Sequence, residues 1–202
     1  MERVFNVSLV GVGGQGILLI SDVLAQAAAR AGHDVKKSEI HGMAQRGGSV
    51  ISQVRFGPRV YSPIIADGSS DVLVAFDRLE ALRWRHLMAP DGQALINRHD
   101  VIPVSVTSGQ QAAVEDLDGL VTRLYPEAVM VPATALAQGL GQVRATNMVM
   151  AGALSHWTPF PPAVWLEALR ARLPAKLVAL NERAFAAGRE AAAALGVHRA
   201  TA

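Results

Sequence analysis

The chain has 202 residues, half of them hydrophobic and 18% charged, with a positive mean hydropathy of +0.25, which excludes a disordered chain and supplies the apolar mass for a full core. The formal charge is only +2, lysine is confined to Lys36, Lys37 and Lys176, and no basic block occurs; this argues against a phosphate-backbone surface for nucleic acid. Cysteine is absent, which excludes disulfides, thiolate-bound zinc, a cysteine nucleophile and a thiolate-held iron–sulfur cluster on this chain.

Met1-Glu2-Arg3 leads straight into a strand-like stretch, residues 4–10. No hydrophobic leader precedes it and no apolar run reaches membrane-spanning length, so a cytoplasmic address is expected. The strand ends at Gly11-Val12-Gly13-Gly14-Gln15-Gly16, and a helix follows with Ile17, Ile20, Leu24, Ala27, Ala28 and Ala31 at helical spacing and Gly32 as its C-terminal stop. Gly11, Gly13 and Gly16 have the G-x-G-x-x-G spacing between a strand and a helix, the context that motif requires. Such glycines allow a tight turn and close backbone approach, and the helix N-terminus offers free N–H groups to an anion. Equally, the loop can be a compact strand-to-helix turn. A dinucleotide site also needs an acid near the end of the second strand for the ribose. Here that strand presents Lys36 and Lys37, with Glu39 only further along.

A polar, glycine-bearing loop comes next, His41-Gly42-Met43-Ala44-Gln45-Arg46-Gly47-Gly48-Ser49. At the carboxyl end of a strand it sits where α/β folds bind ligands. Arg46 has the fork geometry for a carboxylate or phosphate, and His41 can exchange a proton near neutral pH. His41 and Arg46 are therefore the candidate catalytic residues, although a glycine-rich turn whose polar groups bond its own backbone or a partner accounts for the same residues.

Residues 49–56 alternate as a half-exposed strand, and 72–76 form the continuous apolar run of a strand buried on both faces. Asp77 and Glu80 have capping-box spacing for the next helix. Pro90-Asp91-Gly92 reads as a turn into a strand at 93–97, with further strands at 102–106 and 129–131. Thr146 is placed to cap a helix over 147–154, and 159–162 breaks the chain before two terminal helices, the last over about 176–195. Strands alternating with helices indicate a Rossmann-like, doubly wound, mainly parallel α/β sheet with a C-terminal helical segment, in a single domain over 1–202 whose helical extension starts near 157. The scattered His33, His86, His99, His156 and His198 have no metal-ligand spacing, so no metal site is expected; Trp84, Trp157 and Trp165 read as packing or interface anchors.

The Gly11–Ile17 and Ser38–Val50 stretches together closely resemble the small (beta) subunit of indolepyruvate:ferredoxin oxidoreductases, itself similar to the gamma domain of pyruvate and other 2-oxoacid oxidoreductases. Residues 60–65, 71–76, 144–150 and 181–185 continue the resemblance, which is thin between about 105 and 141. It implies a chain inactive by itself, partnered by a large subunit that carries thiamine diphosphate with Mg and the iron–sulfur clusters. That complex decarboxylates a 2-oxoacid oxidatively, an aryl pyruvate such as indolepyruvate, forms an acyl-CoA and passes electrons to ferredoxin. On this reading the chain holds no cofactor alone, and coenzyme A or its phosphates approach Gly11, Gly13, Gly14, Gln15, Gly16, Gln45, Arg46, Gly47, Gly48 and Ser49. No nucleic acid or membrane is a partner. The glycine loop alone leaves open a stand-alone NAD(P)-binding dehydrogenase or a nucleotide-sensing module.

Overall fold

The computed structural model describes residues 3–41 and 48–197, the side chains of His41 and Val104 excepted. Six strands, β1 (Phe5–Val12), β2 (Asp34–His41), β3 (Ser49–Gly57), β4 (Ser70–Ala75), β5 (Met88–Asn97) and β6 (Val129–Val131), form one sheet in the order β2-β3-β1-β4-β5-β6. β1, β4, β5 and β6 pair in parallel, while β3 runs antiparallel to both β1 and β2. The sheet is thus mainly parallel, as expected, with one reversed strand inserted beside β1.

Period-two alternation divides the core. Val7, Leu9, Val72 and Val74 face one side, where α1 (Ile17–Arg30), α5 (Ala133–Gly139), α6 (Thr146–Leu154), α7 (Pro162–Arg172) and α8 (Ala175–Ala194) cover them. Val10, Leu73, Ala75 and Ile96 face the other, beneath α2 (Arg78–Arg83) and α4 (Leu117–Leu124). The chain leaves β1 over the first face toward one sheet edge and leaves β4 over the second face toward the other. The carboxyl ends of β1 and β4 are therefore the topological switch point, where open α/β sheets bind ligands.

Four local expectations change. Residues 49–56 do not form a half-exposed strand, because β3 lies between β1 and β2 and is covered on both faces. Ser52 and Gln53 are buried there, and the Gln53 amide bonds both the N–H and the carbonyl of Ile65 (3.0 and 3.4 Å). Residues 102–106 are not a strand: Pro103 cannot donate to a ladder, β6 already occupies the free edge of β5, and Val104–Thr107 makes a single helical turn, α3, whose Val106 and Thr107 amides bond the Pro103 carbonyl. Pro90-Asp91-Gly92 lies inside β5 as an irregularity in its pairing with β4, not before it. Thr146 is the first residue of α6 instead of its cap, and its hydroxyl donates to the Val143 carbonyl at 2.6 Å.

The C-terminal helices are part of the main core. α6 and α8 cross backbone to backbone: a Cβ on Gly152 would lie 1.9 Å from the Phe185 carbonyl oxygen, and one on Gly188 would lie 1.8 Å from that of Val149. Among the described residues no helix is long and apolar enough to cross a membrane.

Candidate functional site at the carboxyl edge of the sheet

The glycine turn is shaped by two different demands. Gly14 (φ 103°) and Gly16 (φ 82°) adopt left-handed backbone that other residues resist. Gly11 is needed for space, since a Cβ there would lie 2.4 Å from Gln15 Oε1 and 2.8 Å from Phe76 Cβ. Gln15 folds back over the turn: its Oε1 accepts from the Val12 amide at 2.7 Å, and its Nε2 reaches the Phe76 carbonyl at 3.5 Å. Its side chain thereby locks the end of β1 to the end of β4.

The structure brings the glycine turn and the close of the second loop together. The Gly13 amide donates to the Gly48 carbonyl at 2.9 Å, and Ser49 stands opposite Val12 in the β1–β3 register. His41, at the end of β2, is paired with Val50. Gln45, Arg46 and Gly47, with the His41 side chain, lie outside the described residues. The Ser49 hydroxyl is engaged by α2 and the residue that follows it, donating to Glu80 Oε2 and accepting from Trp84 Nε1 (3.0 Å).

Three cavities open at this edge, the first on the α1 face and the second on the α2 face. On the α1 face a cavity of about 410 Å³ is lined by the glycine turn together with Asn97, His99, Thr134, Arg144 and Asn147. Asn147 was legible in the sequence only as part of the stretch 144–150. It is 4% exposed, its Nδ2 donates to the Gly16 carbonyl at a long 3.4 Å, and its Oδ1 has no partner among the described residues. Asn97 behaves differently: its amide is spent on the Phe76 carbonyl (3.0 Å), the Thr134 hydroxyl (2.9 Å) and the Thr134 amide (3.3 Å), fixing β4, β5 and α5 to one another. A buried amide oxygen without a donor costs about 1–3 kcal/mol, so a donor brought by a ligand is favoured there. Three features thus line it: the start of α1, where the first N–H groups of a helix have no acceptor within the helix, Arg144, and Asn147.

On the α2 face a cavity of about 230 Å³ is lined by Gly48, Ser49, Asp77, Glu80, Arg83 and Ser105 among others. Asp77 caps α2 as its spacing predicts, with Oδ1 accepting from the Glu80 amide at 2.9 Å. Burial pushes its carboxyl up to about 6, and the neighbouring Glu80 charge adds to this. Glu80 does not close a capping box; its carboxylate is turned to Ser49, Trp84 and Arg83.

A third cavity of about 390 Å³ lies along Gly13, Gly14, Leu18 and Val50, with Arg172 at its edge. That guanidinium is held by Asp22 Oδ2 at 3.0 and 3.1 Å. Burial alone would raise the Asp22 carboxyl, but hydrogen bonds from Lys37 and Arg172 hold it below its ordinary value.

The geometry weighs against a dinucleotide site of the usual kind. β3 separates β2 from β1, so the end of β2 is about 10 Å from the glycine turn at ordinary strand spacing. Glu39, the one acid there, is paired with Lys37 at 2.6 Å. Among the described residues no group of three or more acidic or imidazole side chains could hold a metal ion.

A family model described as pyruvate ferredoxin/flavodoxin oxidoreductase matches residues 6–191. The chain is 38% identical over 187 residues to indolepyruvate oxidoreductase subunit IorB of Archaeoglobus fulgidus, covering 91% of this chain and 92% of that protein. Its fold is similar to that of the gamma subunit of a keto/oxoacid ferredoxin oxidoreductase from Geobacter sulfurreducens, with a TM-score of 0.71 at 22% identity over 94% of this chain and 99% of that one. It is also similar to 2-oxoglutarate:ferredoxin oxidoreductase from Magnetococcus marinus, a structure with 2-oxoglutarate, coenzyme A and succinyl-CoA bound, with a TM-score of 0.74 at 22% identity over 99% of this chain and 32% of that one.

Proposed function

The chain belongs to the pyruvate ferredoxin/flavodoxin oxidoreductase family, and from that premise we propose that it is the small subunit of an indolepyruvate:ferredoxin oxidoreductase, incomplete without a large partner. The observation that carries this reading is the identity with an indolepyruvate oxidoreductase subunit, which runs through almost the whole of both chains. The complex oxidatively decarboxylates an aryl pyruvate, releases an acyl-CoA and reduces ferredoxin in the cytoplasm. Thiamine diphosphate with Mg on the large subunit supplies the carbanion chemistry there. This chain has no cysteine, so the thiolates that ligate the iron–sulfur clusters come from the partner.

The part assigned to this chain is to receive coenzyme A at the cavity on the α1 face. The N–H groups at the start of α1 and the Arg144 guanidinium suit phosphate oxygens. The unpartnered Asn147 Oδ1 suits an N–H or O–H of the pantetheine or adenosine portions. The 2-oxoglutarate:ferredoxin oxidoreductase of similar fold has coenzyme A bound, which supports coenzyme A as a ligand of the complex. The resemblance further implies Gln45, Arg46, Gly47, Gly48 and Ser49 for coenzyme A, with His41 and Arg46 as candidate catalytic residues.

The test is reconstitution. The chain and its large partner are produced together without oxygen, and ferredoxin reduction is followed with indolepyruvate and coenzyme A. Turnover that needs both polypeptides and both substrates supports the reading; substrate oxidation by this chain alone with NAD(P) contradicts it.

A further inference from the structure

The three cavities at the carboxyl edge differ in charge. The α2-face cavity carries the carboxylates of Asp77 and Glu80, which repel a phosphate. In the third cavity the Arg172 guanidinium is already held by Asp22. On the α1 face the ionisable side chains among the described lining residues are those of Arg144 and His99, with no carboxylate between them. Both residues are exposed, and they come from different elements: Arg144 from the 3₁₀ turn Val143–Ala145 that leads into α6, His99 from the loop after β5. The His99 backbone is fixed, its carbonyl accepting from the Arg78 amide at 3.2 Å and its amide donating to the Asn97 carbonyl at 2.8 Å. Leu19 and Val143 add apolar wall.

Coenzyme A offers two anionic groups of unequal kind, a diphosphate in its middle and a phosphate monoester on the ribose 3′-oxygen at its nucleotide end. The start of α1 has no acid in its first turn and no side-chain cap. A helix N-terminus presents only about half a positive charge, which suits the diphosphate, whose charge is spread over two phosphates. A monoester concentrates about −1.5 to −2 charges on one phosphorus at pH 7. It calls for a full cation with forked donors, which in this cavity is Arg144. The His99 imidazole adds an N–H donor in any protonation state. At the other end of coenzyme A, the thiol has to leave this chain, because the acyl group forms on the large subunit. The nucleotide end is therefore the end that the cavity retains.

We propose that Arg144 reads the 3′-phosphate of coenzyme A, so that this chain holds the nucleotide end and sets the preference of the complex for coenzyme A over its 3′-dephospho form. The pantetheine arm then runs outward to the large subunit. The assignment rests on the coenzyme A reading above and deepens it, since it names which end of the molecule this chain binds and the side chain that selects it.

The reconstituted complex is assayed with coenzyme A and with 3′-dephospho-coenzyme A, using the wild-type chain and Arg144→Gln. Glutamine keeps a polar side chain at this exposed position and removes the charge. The wild type is expected to show a KM for coenzyme A lower than that for the dephospho form by about tenfold or more, the effect of one charge-assisted hydrogen bond. Arg144→Gln is expected to raise the KM for coenzyme A close to that of the dephospho form and to leave the KM for the dephospho form near its wild-type value. The dephospho form is thus the internal control, because a change that only disturbs the fold at Arg144 raises both KM values together, and that result overturns the assignment. Equal KM values for the two forms in the wild type, or a preference that survives Arg144→Gln, also overturn it and leave coenzyme A standing as the cosubstrate. Absence of any coenzyme A-dependent turnover in the wild-type complex overturns the coenzyme A reading and this assignment with it.

Discussion

Asn147 lies against Gly16 from 131 residues away, so closely that a Cβ on Gly16 would be 2.3 Å from Asn147 Nδ2. The start of α1 and the start of α6 therefore meet over the glycine turn, and Gly16 is constrained by both its left-handed backbone and this neighbour. Gly16→Ala combines strain of about 1 kcal/mol with a steric clash, and a total loss of about 2 kcal/mol or more in denaturant unfolding is expected. Adding Asn147→Ala removes the clash and should restore all but the backbone part. Equal losses in the single and double variants would contradict the contact.

Asn147 also probes the assigned ligand. With its Oδ1 as acceptor for coenzyme A, Asn147→Leu in the reconstituted complex is expected to raise KM for coenzyme A by about tenfold, the effect of one lost hydrogen bond of about 1.4 kcal/mol. Turnover at saturating coenzyme A and KM for the oxoacid should stay near wild type. A change confined to the oxoacid would place coenzyme A elsewhere.

The crossing of α6 and α8 gives a sharper stability prediction. At Gly188 an added methyl meets the Val149 carbonyl oxygen, which is backbone and cannot rotate aside. Gly188→Ala is expected to cost about 3 kcal/mol or more, at the upper end for single changes. Gly139, the last residue of α5, has open space around a Cβ and ordinary backbone. Gly139→Ala should therefore stabilise by about 0.5 kcal/mol. Urea titrations of the two variants check both signs.

Asp77 predicts a pH window. Its folded carboxyl is raised from 3.8 to about 6, so the folded state binds the proton more tightly than the unfolded chain does. Its contribution is fully present below about pH 4 and is lost as pH rises through 6. At neutral pH the ionised group costs on the order of 2–3 kcal/mol. Asp77→Asn should accordingly exceed wild type in stability above pH 6 and lack the fall between pH 4 and pH 6. Parallel pH profiles for the two proteins would contradict a buried, unpaired Asp77.

What the sequence disclosed divides by range. The glycine turn, the Asp77 cap and the two terminal helices depend on neighbours a few residues apart, and spacing alone located them. The parallel sheet followed from the alternation of strands and helices. The antiparallel placement of β3 did not, because nothing local in residues 49–56 says which strand lies on either side. The polar residues Gln53 and Arg55 looked solvent-facing, yet Gln53 bonds the chain at Ile65, and Arg55 bonds Asn6 together with the carbonyls of Ser62 and Ile64. Residues 102–106 have strand-like composition, but the sheet offers them no edge. The site was partly legible: the Gly11 to Gly16 turn is local in the chain, whereas Gly48 reaches it only through the antiparallel pairing of β1 with β3, and Asn97, Thr134 and Asn147 only through the completed sheet and its covering helices.

The most direct test of the central claim is affinity purification of the tagged chain from its own host without oxygen, with its companions identified and their cofactors assayed. The account predicts a brown complex in which a large subunit carrying thiamine diphosphate and iron–sulfur clusters accompanies this chain in fixed proportion. A colourless, solitary protein that retains a nucleotide would contradict it.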